Sequence, residues 1–212
     1  MRRPALIIGV LMVLAGCATA RVAERRVITG RVTDTEGRPV AATPVLLVGR
    51  DLGFALFSLG YEEMGRREAR VLTDERGEYR IEVVPGQLGN NLYLFFYDRE
   101  GFDHVRYARP APVDLTKPLK DEPHVVINQT LRTHPDWLEV VRLRQEYGPD
   151  SHRGRILRQM GLPERREATQ SGGDLVEQWH YFSRGITYVL RNGALSGTHQ
   201  FEPIKEFAKP GS

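Results

Sequence analysis

One cysteine in 212 residues, Cys17, excludes an intrachain disulfide and a cysteine-based zinc cluster. Long apolar runs are also missing. The longest, Ala5–Leu14, covers only about 15 Å as a helix, half a hydrocarbon core, so a membrane-spanning helix is not expected. A basic stripe is absent too, which argues against nucleic acid as a partner. The six histidines (His104, His124, His134, His152, His180, His199) include no His-x₃-His or His-Glu-x-x-His pair. No serine stands in Gly-x-Ser-x-Gly, and no phosphate-binding glycine loop occurs. The sequence therefore predicts no metal, no cofactor and no enzyme.

What is present begins with charge order. Met1-Arg2-Arg3-Pro4 is cationic, Ala5–Leu14 is apolar, and small residues follow, the order of a secretory signal. Its end, Leu14-Ala15-Gly16-Cys17, resembles a bacterial lipobox. That resemblance implies cleavage between Gly16 and Cys17 and lipid on the Cys17 sulfur and amino terminus. Several acyl chains anchor stably, at about 0.8 kcal/mol per buried CH₂. Ala18 after the cysteine resembles the outer-membrane sorting signal. The alternative is an ordinary signal peptide with a chance cysteine. Loss of the leader, with Arg2 and Arg3, leaves 28 basic against 27 acidic residues, so the formal +3 falls to +1.

The rest reads as mainly β: an antiparallel β-sandwich followed by a small α+β unit. The predicted divisions are a leader (1–16), a lipidated spacer (17–25), the sandwich (26–131), a connecting helix (132–149), a helix-plus-meander domain (150–205) and a tail (206–212). Within 26–131, β-rich runs alternate with turn sequences such as "TEGRPV", "DERG" and "DREG". Tyr79, Ile81 and Val83 alternate with Arg80, Glu82 and Val84, the period-2 pattern of a half-buried strand. Further strands are expected at "NLYLFFYD", "GFDHVRYA" and "HVVINQTL". Asp34/Glu36 and Asp74/Glu75 sit in turns and are expected to cap backbone rather than to act as acid–base or calcium pairs.

Gly30, Val32, Asp34, Gly37, Pro39, Val40 and Val45, then Thr73, Asp74, Gly77, Tyr79 and Pro85-Gly86, resemble the carboxypeptidase regulatory-like family. That resemblance implies a transthyretin-like sandwich of accessory character, without catalysis. One stretch departs from the pattern. Between Val48 and Val71 lies "GRDLGFALFSLGYEEMGRREAR", longer than a simple connection. Its apolar centre carries Phe54, Phe57 and Tyr61. It is either an added hairpin covering the sandwich or an exposed loop for a partner or membrane surface.

After a proline-rich connection, Asp136 followed by Glu139 predicts a capping-box-like helix start, and Gly148-Pro149 its stop. Trp137, Val140, Val141 and Arg144 share one face, with Leu138 beside them and Trp137 as a docking anchor. Ile156, Leu157 and Met160 are helically spaced and end at Gly161. A flexible "QSGGD" follows, and Asn192-Gly193 signals a tight hairpin. Gly161, Pro163, Trp179, Tyr181, Gly185 and Asn192-Gly193 resemble the small domain of SmpA/OmlA-like lipoproteins. That resemblance implies protein and lipid contacts rather than catalysis. His180 and His199 are expected on solvent-facing sheet positions.

Taken together, the sequence predicts a lipid-anchored envelope protein, on the outer membrane facing the periplasm, that binds or scaffolds other envelope proteins. The alternative is a solute- or polysaccharide-binding lipoprotein with Phe95, Phe96, Tyr97 or Trp179 in a groove.

Overall fold

The structure, a computed structural model, describes residues 25–55, 60–84 and 87–207. Its first half holds β1 (Arg26–Asp34), β2 (Pro44–Ala55), β3 (Gly60–Leu72), β4 (Glu78–Val83), β5 (Asn91–Phe95) and β6 (Val113–Asp114). A one-turn helix, α1 (Pro118–Asp121), leads to β7 (His124–Val126) and β8 (Gln129–Leu131). β1 is central in one sheet, antiparallel to β4 and parallel to β7 and β8. The other sheet runs β3-β2-β5-β6 and is antiparallel throughout.

Alternation builds the core between them. β4 buries Tyr79, Ile81 and Val83 while exposing Glu78, Arg80 and Glu82, as its pattern predicts. Those side chains join Ile28, Val32, Val45, Leu47, Leu94 and Phe96 in one cluster, with the Tyr79 ring edge-on to Phe96 at 5.7 Å. The fold is mainly β, a sandwich in this half.

Two expectations in this half are corrected, and a third is decided between its alternatives. The stretch 124–131 is two short strands rather than one. β1 and the chain approach so closely at Ile127 that a Cβ on Gly30 would stand 1.7 Å from the Ile127 carbonyl oxygen. There Tyr79 Oη donates to that oxygen (2.7 Å) and Asn128 Oδ1 accepts the Arg31 N–H (2.9 Å), replacing ladder bonds. The segment 101–108 is a series of turns, because Asp103 accepts the Arg106 N–H through its side chain and the Tyr107 N–H through its carbonyl. Phe102 and Tyr107 pack into the sandwich core, whereas Val105 packs into the second core. The inserted stretch after Val48 continues β2 and β3 as one hairpin, paired from Pro44↔Leu72 to Ala55↔Gly60. β5 accompanies β2 only from Leu46 to Arg50.

The second half holds α2 (Trp137–Tyr147), α3 (His152–Met160), β9 (Arg165–Ser171), β10 (Asp174–Tyr181), β11 (Ile186–Arg191) and β12 (Ala194–Gln200). The strands form an antiparallel meander in chain order. Val140, Leu143, Ile156, Leu157, Trp179, Tyr181 and Leu190 are buried in a second core, with Trp137 packed against it as a docking residue. Ser151 caps α3 by accepting the Gly154 N–H (2.9 Å), and Gly161 ends it with φ 78°. Asn192 and Gly193, at φ 51° and 81°, make the expected tight turn.

Here too the structure departs from expectation. The Asp136 carboxylate does not cap α2, because its backbone is helical (φ −78°, ψ −6°) rather than extended. Leu138 is 78% exposed rather than part of the docking face. "QSGGD" is the β9–β10 hairpin turn, with Gly172 and Gly173 both at positive φ. β9 itself escapes pattern reading because all seven residues are exposed.

Candidate functional site

Gly16, Cys17 and Phe57 lie outside the described residues, as does the side chain of Tyr61. Phe54 is described. It sits on β2 opposite Tyr61 of β3 and is 56% exposed, so it does not fill the sandwich core. Met64, on the returning strand, is 73% exposed and lies against Gly53, where a Cβ would meet its Cγ at 2.9 Å. The hairpin thus presents Phe54 and Met64 on a ribbon that β5 does not support.

The aromatics considered for a ligand groove are placed differently. Phe96 and Trp179 are buried in the first and second cores. Phe95 and Tyr97 are half-buried and pack edge to face at 5.8 Å, and the Arg109 guanidinium lies over the Tyr97 ring. Arg166 likewise lies over Trp179, at 4.8 Å.

The turn carboxylates bind backbone. Asp34 Oδ1 accepts the N–H groups of Glu36 (2.9 Å) and Arg38 (3.0 Å), and Oδ2 accepts Arg38 Nε (2.8 Å). Burial opposes the charge on Asp34, but these bonds outweigh it and hold the carboxyl below its ordinary range. Asp74 Oδ1 accepts from the N–H groups of Arg76 and Glu78. His180 and His199 flank Thr187 on three adjacent strands, and His180 Nδ1 lies 3.0 Å from Thr187 Oγ1. Among the described residues, no three His, Cys, Asp or Glu side chains group as metal ligands.

A cleft of about 550 Å³ was not foreseen. It opens where the 104–105 crossover and His134 face the end of α3 and the turn Phe182–Arg184. Val105, Val140, Met160 and Leu162 give it apolar walls; His104, His134, Glu164 and Arg184 supply polar groups. Burial and then the Arg109 guanidinium lower the His104 pKa, favouring the neutral ring. Ser183 Oγ donates to Glu164 Oε1 (2.5 Å), which ties the Phe182–Arg184 turn to the stretch after α3. The lining comes from separated stretches of chain, and Gly161–Pro163 is its one local sequence signal.

No protein-family model matches the chain, and no curated protein matches it. Solved structures similar to it include catechol 1,2-dioxygenase from Pseudomonas arvilla C-1, at 14% identity and TM-score 0.31 over 56% of each chain. A shaft pilin from Lactobacillus rhamnosus GG matches at 12% identity and TM-score 0.30, over 52% of this chain and 51% of that one. A streptococcal ancillary pilin matches at 11% identity and TM-score 0.35, over 86% of this chain and 57% of that one. The chain spans little more than half the length of each. Likeness this slight carries no functional argument.

Proposed function

We propose that this is a lipid-anchored bacterial envelope protein that works as a non-catalytic binding or scaffold module for other envelope proteins. The observation that carries the reading is the order of its N-terminal segments: cationic start, ten-residue apolar run, Leu-Ala-Gly-Cys, short polar spacer, then β1 at Arg26. A fully extended spacer 17–25 reaches about 30 Å, which keeps the folded part next to the membrane surface. Ala18 supports the outer membrane, facing the periplasm. The carboxypeptidase regulatory-like and SmpA/OmlA-like resemblances support accessory modules, and the β2–β3 hairpin with Phe54 is the surface offered to a partner.

Crosslinking in intact cells followed by pull-down tests this role. Recovery of a defined envelope-protein complex, lost with Phe54→Ser, is the expected result. A second reading is a solute- or polysaccharide-binding lipoprotein. The 550 Å³ cleft favours it, because that volume suits a small ligand. Co-purified glycan or solute with no protein partner is the outcome that selects it.

A further inference from the structure

We propose that the outer part of the β2–β3 hairpin, at Phe54 and Met64, lies in the lipid–water interface of the same bilayer that holds Cys17. The inference rests on the lipid-anchored reading and adds a second, non-covalent contact with that membrane.

Strand direction carries it. β1 runs from Arg26 to Asp34, and β2 returns from Pro44. At the open end of the hairpin Pro44 pairs with Leu72, Thr73 N–H donates to Thr43 O (3.0 Å), and Asp74 N–H donates to Glu78 O (2.9 Å). Glu78 begins β4 and pairs with Arg31, so this end lies beside the later residues of β1. β2 therefore runs back towards the level of Arg26 and reaches it at Arg50. There Asn90 N–H donates to Arg50 O (3.1 Å), and Gly89 and Asn90 line one small pocket with Arg26 and Val83. The next five residues, Asp51–Ala55, carry the ribbon about 16 Å beyond the sandwich at about 3.3 Å each. They project from the end at which the chain enters β1. A fully extended spacer 17–25 reaches about 30 Å, more than the projection, so the lipid on Cys17 and the hairpin meet one bilayer without strain. The Asn90 side chain fixes the base of the projecting part, accepting the Leu52 N–H and donating to Leu52 O, both at 3.0 Å.

The projecting part suits lipid better than a groove on another protein. Phe54 and Met64 are both more than half exposed. Successive strand residues point to opposite faces, and Met64 lies against Gly53, the neighbour of Phe54. The two side chains therefore stand on opposite faces of the ribbon. A groove covers one face, whereas lipid surrounds both. The sequence carries no charge from Leu52 through Tyr61. A strand needs about 9–11 residues to cross a bilayer, so five enter the interface without crossing. Apolar side chains of surface-bound segments settle about 5–10 Å into the headgroup–acyl boundary. Behind them Arg50 pairs with Glu63 (3.6 Å) and Arg66 with Glu68 (3.8 Å), a charged collar of both signs at the level of the headgroups. Phe54 thus brings the module to the membrane surface, where an envelope-protein partner is met.

The test uses the full chain isolated with its lipid and carrying Met64→Cys, reconstituted into vesicles of phosphatidylethanolamine and phosphatidylglycerol. Lipidation blocks the Cys17 thiol, so a thiol-reactive NBD dye marks position 64 alone. Glu75→Cys, in the exposed turn at the opposite end of the sandwich, is the control. The readout is quenching of the dye by nitroxide-bearing acyl chains. Strong quenching at position 64, none at position 75, and its loss when Phe54→Asp is added are the expected results. A chain that floats with the vesicles, but whose dye at 64 is no more quenched than at 75, overturns the proposal and leaves the anchor standing. So does quenching that survives Phe54→Asp. A blue-shifted dye without quenching also overturns it, because a second copy of the chain then covers the hairpin. A chain that does not float and takes dye at Cys17 overturns the anchor, and the proposal with it.

Discussion

Arg153 of α3 and Glu177 of β10 form a largely enclosed ion pair, with Nε 2.8 Å from Oε2 and side chains 21% and 15% exposed. The same guanidinium lies over the Tyr147 ring of α2, at 5.1 Å, and beneath the turn at Gly193. One cation therefore ties both helices to the meander.

Loss of that cation strands the carboxylate. Arg153→Met is expected to destabilise the protein by about 2–3 kcal/mol, below the figure for a fully buried pair because both side chains keep some contact with water. Replacing both partners, Arg153→Met with Glu177→Leu, is expected to cost less than the single change. Urea denaturation midpoints of the three variants check the order. A double variant less stable than Arg153→Met contradicts it.

Gly30 faces a backbone rather than a side chain. The Ile127 carbonyl cannot retreat without breaking its bond from Tyr79, so Gly30→Ala is expected to cost about 3 kcal/mol. Thermal unfolding measures it, and a near-neutral substitution rules out this close approach of β1 to the 126–128 segment.

Phe54→Ser is expected to change stability by less than about 0.5 kcal/mol, as usual for an exposed position. Combined with Phe57→Ser, it is expected to abolish partner capture with the fold intact. Loss of stability instead shows that the hairpin tip covers the core.

Acid acts through the turn carboxylates. The folded-state pKa of Asp34 lies below the ordinary 3.8, so its contribution to stability is present above that value and lost as pH falls below it. Asp98 is lowered as well, burial being outweighed by Arg70 and the Gly101 N–H. Asp34→Asn is therefore expected to flatten, without removing, the decline in unfolding free energy below about pH 4. Chemical denaturation at a series of pH values reads this slope, and an unchanged slope contradicts the assignment.

Sequence patterns located the parts of this fold that local rules govern. Alternation in β4, the caps at Asp34 and Asp74, the end of α3 at Gly161 and the Asn192-Gly193 turn each depend on a few neighbouring residues. The failures have a common physical cause, which is that another part of the chain decides. β9 has no apolar face, and its strand exists because β10 offers a hydrogen-bonding edge. Turns at 101–108 mimic a strand because Phe102, Val105 and Tyr107 are apolar for the sake of two different cores. The cleft draws its lining from stretches distant in sequence, so no single motif announces it. Of the site residues, Phe54 was legible as apolar in an inserted segment, but its exposure is settled by where β5 stops accompanying β2.

The most direct measurement of the central claim is metabolic labelling with a fatty-acid analogue, comparing the unaltered chain with Cys17→Ser. Label on the unaltered chain, absent from the variant, together with release of the variant from the membrane fraction, is the predicted result. Equal labelling of the two chains, or no label on either, contradicts the account of Cys17 as the lipid attachment point.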